Sequence, residues 1–206
     1  MTIYGERFNT YSHLMGAILA LSGSIALIFL AITSGNIWKI ISFSIYGFTL
    51  VLMFISSTIY HGTTGKIKDI FRAIDHNSIY LLIAGSYTPF TLVTLRGPWG
   101  WSLFGVVWSL AAAGLLQELL LGKKTRLLSQ VIYLLMGWVA LVALVPLLDK
   151  LGWVGFGWVA AGGVIYTIGF IFYLFDTRFT HWHGIWHLFV LAGSAAHYVA
   201  ILLYVA

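Results

Sequence analysis

The chain contains no cysteine, which excludes a disulfide scaffold and every thiolate metal site. Any metal would have to be held by His, Asp or Glu. Charge is almost as scarce, at 8% of the 206 residues. Soluble domains carry about a quarter charged residues, so an ordinary soluble domain is excluded. No lysine follows Lys150, which excludes a retinal Schiff base in the last helix. Haem between histidines of separate helices stays open and would announce itself as a Soret band. What the chain does have is apolar surface, with 60% hydrophobic and 17% aromatic residues.

The few charges divide the chain. Stretches free of Asp, Glu, Lys and Arg run over 8–38, 40–65, 76–95, 97–117, 127–148, 151–175 and 179–206. A helix rising 1.5 Å per residue crosses a hydrocarbon core of ~30 Å in about 20 residues, so each run is long enough for one crossing. The pattern predicts an all-α, seven-transmembrane bundle with little outside it. The expected helices cover 8–35, 38–63, 72–95, 98–121, 126–148, 152–175 and 181–205 of a single integral membrane domain spanning 1–206. The first run is expected to stay in the protein, because Glu6 and Arg7 make a poor signal-peptide n-region and the run exceeds an h-region.

Cations in alternate linkers set the orientation. Arg7, Lys66, Lys68, Arg72, Lys123, Lys124, Arg126 and Arg178 fall on one side, and Lys39, Arg96 and Lys150 on the other. By the positive-inside rule the N-terminus is cytoplasmic and the C-terminus outside. The formal net charge of +5 fits an anionic lipid leaflet as partner, and no nucleic acid is expected. Trp38, Trp99, Trp101 and Trp153 fall at the outer ends, where an aromatic belt belongs.

Polar groups inside a membrane are costly, so each needs a reason. His13, His61, Asp75, His183 and His187 all fall roughly 5 to 14 Å inside the cytoplasmic charged edge. His183 and His187 are spaced i, i+4 and share a helix face. With His61 they make a three-histidine zinc set that leaves the fourth tetrahedral position to water, and bound zinc lowers the pKa of that water toward 7. Such a set suits Zn²⁺ best, with Mn, Fe, Co and Ni as alternatives. Asp75 is a catalytic candidate that holds the water or takes its proton, or else pairs with Arg72 one turn away. Ser57, one turn before His61, is a second catalytic candidate, able to polarise a carbonyl or orient the ligand, or else a small packing residue. His13, His76 and His181, taken singly, read as interfacial side chains. His197, near the bilayer middle, either lines a cavity below the metal or bonds a neighbouring helix. Pro89 is expected to kink its helix, with Ser86 and Thr88 satisfying freed carbonyls. Glycines 152, 155, 157, 162, 163 and 169 point to close helix packing.

Four segments together resemble a known family: Glu6-Arg-Phe-Asn9-Thr-Tyr-Ser12-His13, Ser56-Ser57-Thr-Ile-Tyr60-His61, Asp75 followed by Ala84-Gly85-Ser86-Tyr87-Thr88-Pro89, and His183-Gly-Ile-Trp186-His187 with His197. The chain is similar to the haemolysin III family, within the progestin and adiponectin receptor group and related to alkaline ceramidases. The resemblance implies seven helices with a cytoplasmic N-terminus, a zinc ion held at His61, His183 and His187, and Asp75 and Ser57 near the metal-bound water. It implies, for the wider group, zinc-dependent hydrolysis of a lipid amide such as ceramide. For bacterial members it implies haemolytic, pore-forming activity and membrane lipid homeostasis. The long N-terminal domain of the animal receptors is lacking, so hormone reception of that kind is not expected. Two functions follow from different classes: a zinc-dependent lipid amide or ester hydrolase, and a non-enzymatic pore or lipid sensor in which zinc is structural.

Overall fold

The computed structural model describes residues 3–121 and 126–206. Lys123 and Lys124 of the expected inner linker lie outside them, as does the side chain of Arg126. The described residues are all-helical: α1 (Ile3–Thr33), α2 (Ile37–Gly62), α3 (Gly65–Pro89), α4 (Pro98–Leu121), α5 (Arg126–Trp138), α6 (Leu144–Leu174) and α7 (Trp182–Tyr204). A π-helical turn, Phe90–Thr94, follows α3, and a 3₁₀ turn, Val139–Ala143, joins α5 to α6.

Contacts between neighbours give the direction of each helix. Gly16 lies against Phe54 and Gly47 against Ser24, so α1 and α2 are antiparallel, reversing at Gly35, whose φ is +64°. Asn36 caps α2, its side-chain oxygen accepting from the Trp38 and Lys39 amides at 2.9 and 3.4 Å. The same falling-index pattern joins α2 to α3 through Ser56 and Ser78, α3 to α4 through Tyr80 and Gly114, and α6 to α7 through Gly169 and Phe189. By contrast, Gly184 meets Phe8 and Gly23 meets Tyr198, so α1 and α7 run parallel.

Five stretches are long and apolar enough to cross a membrane: Gly5–Thr33, Ile37–Gly62, Pro98–Leu121, Leu127–Leu174 and Trp182–Tyr204. Helix α3 is not among them, because its first three turns carry Lys66, Lys68, Asp69, Arg72 and Asp75. Leu127–Leu174 is 48 residues long, too long for one crossing, and Gly152 breaks it with φ 66° and ψ 173°. Trp138 Nε1 donates to Thr167 Oγ1 at 3.2 Å, although 29 residues separate them. An unbroken helix would hold them about 43 Å apart, so the chain doubles back at Gly152.

The helix boundaries depart from expectation where local chemistry intervenes. Helix α3 begins seven residues before the expected position 72, since charged residues at a helix end can remain in water. Pro89 supplies no N–H, and the backbone continues from it as a π-turn. Thr88 Oγ1 donates to Ala84 O at 2.9 Å and Ser86 Oγ to Ile83 O at 2.8 Å. These hydroxyls therefore bond carbonyls beside the one that Pro89 releases, at Gly85. Tyr87 reaches the 3₁₀ turn, its hydroxyl donating to Gly137 O and accepting from Ala140 N, both at 2.9 Å.

The surface is apolar, with Leu119, Leu120, Val142 and Val145 among its large exposed residues, whereas Ser42, Thr49, Ser56, Ser57 and Thr88 are buried. That distribution suits a hydrocarbon surround in which polar groups must find partners within the protein. Trp38 and Trp101 meet edge to face at 5.5 Å, with Arg96 4.6 Å over the Trp38 ring, at the opposite end of the helices from His61 and His183.

Helix α6 presents Gly155, Gly162 and Gly169 to Tyr204, His197 and Phe189 of α7, leaving no room for a Cβ, whereas Gly163 has nothing within 4 Å. Gly162→Ala should cost about 1–3 kcal/mol by overpacking, while Gly163→Ala should be neutral or gain up to about 1 kcal/mol of helix propensity. Thermal unfolding of the two variants in detergent checks the contrast.

Candidate metal centre

The helix directions bring the inner halves of α1, α2, α3 and α7 together. Glu6, Asn9 and His13 follow the i, i+3, i+7 pattern that keeps side chains on one face of α1. That face meets the last turn of α2, carrying His61, and the first turns of α7, carrying His183 and His187. His181 precedes α7 in a left-handed conformation, φ 70°, which starts the helix so that His183 and His187 point inward.

His61, His183 and His187 each offer one nitrogen, all within 4.8 Å of one another. His183 Nε2 and His61 Nε2 are 3.3 Å apart. Tetrahedral zinc with bonds of about 2.0–2.1 Å separates its ligand nitrogens by about 3.4 Å, so this pair already has the required spacing. His187 is 2% exposed and offers one nitrogen to the same point. Three imidazole nitrogens converging at a largely buried site fit a cation that uses their lone pairs. The donor set and its geometry therefore fit a metal ion.

His13 was expected to be an interfacial side chain, and here it is 3% exposed, stacked on His187 with ring centroids 3.6 Å apart and both ring nitrogens unpartnered. Its depth was legible in the sequence, but which way α1 turned was not. Asp75 and Ser57 are buried and share with His13, His183 and His187 the wall of one cavity. It is partly open to the outside and continues between α3, α5, α6 and α7 past Leu82, Ile83, Leu134 and Phe170 to His197. His197 takes both roles considered for it, lining the cavity and approaching Val159 O of α6 at 3.2 Å.

Sequence reasoning missed two carboxylates. Glu6 Oε2 is 2.6 Å from His61 Nδ1, and Asp176 Oδ2 is 2.8 Å from His183 Nδ1. Lys68 Nζ donates to the other Glu6 oxygen and to Tyr60 O, each at 3.1 Å. Glu6 had entered only as an n-region residue and as part of the resembling segment, and Asp176 only as the end of a charge-free run. A second cavity, lined by Glu6, Asn9, Tyr60, Asp176 and His183, opens the cluster to the outside at this end.

In the sequence comparison, the profile described as "Haemolysin-III related" matches residues 1–198, a range that contains the whole histidine cluster. The chain belongs to the haemolysin III-related family. A hemolysin-3 homolog of Bacillus subtilis (strain 168) is 43% identical over 204 residues, covering 98% of this chain and 95% of the relative. Hemolysin-3 of Bacillus cereus is 40% identical over 201 residues, covering 97% and 91%. The human monocyte to macrophage differentiation factor is 32% identical over 206 residues, covering 97% and 84%. As a haemolysin III-related chain it is a membrane protein, its apolar helices suited to a lipid bilayer.

If the cluster binds metal, chelation should lower the unfolding temperature of the wild type, because binding to the native state alone stabilises it by mass action. His187→Ala should melt at one temperature with or without chelator. Thermal scans of both proteins, with and without EDTA, make the comparison.

Proposed function

We propose that the protein is a zinc-dependent hydrolase of a lipid amide or ester bond, working in membrane lipid homeostasis. In this reading it crosses a bacterial inner membrane seven times, with a cytoplasmic N-terminus and an external C-terminus. His61, His183 and His187 are the zinc ligands. The observation that carries the reading is the convergence of three histidines, two of which, His183 and His187, line a largely apolar cavity together with Asp75 and Ser57.

Zinc, when bound, supplies a Lewis acid that makes water a stronger nucleophile and polarises an acyl oxygen. The remaining roles fall to the chain. Asp75 orients the attacking water and accepts its proton. The Ser57 hydroxyl, buried on the cavity wall with Asp75, donates to the scissile carbonyl oxygen. Leu82, Ile83, Leu134, Phe170 and Val190 accept acyl chains and keep bulk water from the reacting bond. Water enters past Glu6 and Asp176, from the side opposite the apolar end. The lipid is the expected partner.

A second reading rests on the 3.3 Å approach of His61 and His183 from helices far apart in sequence: a metal there would tie α2 to α7 in a non-enzymatic pore or lipid sensor. The two readings separate in one set of measurements on zinc-loaded protein in liposomes of natural lipid. The hydrolase reading expects release of fatty acid, reduced at least about 100-fold in Asp75→Asn, with zinc content retained. Dye leakage from the liposomes without any lipid turnover would favour the second reading and sink the first.

A further inference from the structure

The metal reading leaves Glu6 and Asp176 without a task, although they make two of the shortest side-chain contacts in the described residues. Each reaches the Nδ1 of a candidate ligand, at 2.6 and 2.8 Å. Neither sits on a ligand-bearing helix: Glu6 is in the first turn of α1, and Asp176 lies between α6 and α7. Two separate segments thus deliver a carboxylate to the back of an imidazole.

The chemistry of the contact fixes the tautomer. An ionised carboxylate only accepts hydrogen bonds, so the nitrogen facing it must carry the hydrogen. A neutral ring with hydrogen on Nδ1 presents a lone pair at Nε2. In His61 and His183 those two Nε2 atoms face each other at 3.3 Å, where two lone pairs repel unless a cation lies between them. The carboxylates also hold the rings at a fixed tilt and make Nε2 a better donor, as outer partners of metal-bound histidines do.

Glu6 and Asp176 both line the second cavity, on the side of the cluster away from the apolar one, and Lys68 lies 3.1 Å from Glu6. Lys68 is itself fixed, bonded to Tyr60 O and 4.6 Å over the Tyr60 ring. Lys68, Glu6 and His61 therefore form a chain from α3 through α1 to α2.

We propose that Glu6 and Asp176 are positioning residues of the metal centre, setting the Nδ1–H tautomer of His61 and His183 and aiming their Nε2 atoms at the ion, with Lys68 orienting Glu6. The inference rests on the metal reading above. It assigns no chemical step to either carboxylate.

The test is zinc affinity, measured by chelator competition on the purified full chain, for wild type, Glu6→Gln, Asp176→Asn, Lys68→Met and the Glu6→Gln/Lys68→Met double variant. The amides keep the size of the carboxylates, and melting of the zinc-free proteins should be unchanged. Glu6→Gln and Asp176→Asn should each bind zinc about 10–100-fold more weakly. Their cobalt(II)-loaded forms should show shifted visible bands. Lys68→Met should weaken binding by a smaller factor, and that factor should vanish in the Glu6→Gln background. Zinc affinity equal to wild type in both amide variants would overturn the inference alone, even if their zinc-free forms melted early. A wild type that takes up no zinc would overturn it together with the metal reading.

Discussion

The inner ends of α2 and α7 meet where His61 Nε2 and His183 Nε2 stand 3.3 Å apart, 122 residues from each other in sequence. With the Nδ1–H tautomers proposed above, two imidazole nitrogens this close in a low-dielectric layer repel unless a cation lies between them. The surrounding structure answers that requirement. Helix α1 contributes Glu6 and His13, α3 contributes Asp75 and Lys68, and the turn before α7 contributes Asp176, each directed at the same end of the bundle. Away from this end the helices are held by small-residue contacts, such as Gly47 with Ser24 and Gly162 with His197. These bring backbones close without placing charge in the apolar layer.

The cavity inherits its polarity from this arrangement. Its polar head is where the histidines converge, and its body is walled by aliphatic and aromatic side chains of α3, α5, α6 and α7. Three local irregularities interrupt the helices around it: the π-turn after Pro89, the 3₁₀ turn at Val139–Ala143 and the reversal at Gly152. Tyr87 joins the 3₁₀ turn to α3 by satisfying Gly137 O and Ala140 N. A broken helix in hydrocarbon needs such partners for the groups it releases. An amphiphile with a polar reacting bond and apolar chains matches this space better than a small water-soluble molecule does.

Much of this could be read from the chain because charge is so sparse. The charge-free runs located the helices, and counting residues inward from Arg7, Lys66, Arg72 and Arg178 put His13, His61, Asp75, His183 and His187 at one depth. The i, i+4 spacing placed His183 and His187 on one face, and the structure brings His61 to them. The sequence could not reveal the rotation of each helix about its axis. His13 therefore looked like an interfacial residue, although it stacks on His187. Glu6 stood only in the resembling segment and Asp176 only at the end of a charge-free run, since an acid at a membrane boundary carries no sign of which ring it meets. Helix α3 was expected to begin at 72 because charges were taken as ends, whereas its inner turns carry them within the helix.

The account stands on a metal ion bound by imidazole at the inner ends of α2 and α7. X-ray absorption at the zinc edge on the purified wild-type protein addresses it most directly. The account predicts about one zinc per chain, with a first shell of nitrogen and oxygen only at about 2.0–2.1 Å and the outer-shell scattering of three imidazoles. Absence of zinc, or a first shell without imidazole scattering, would contradict it.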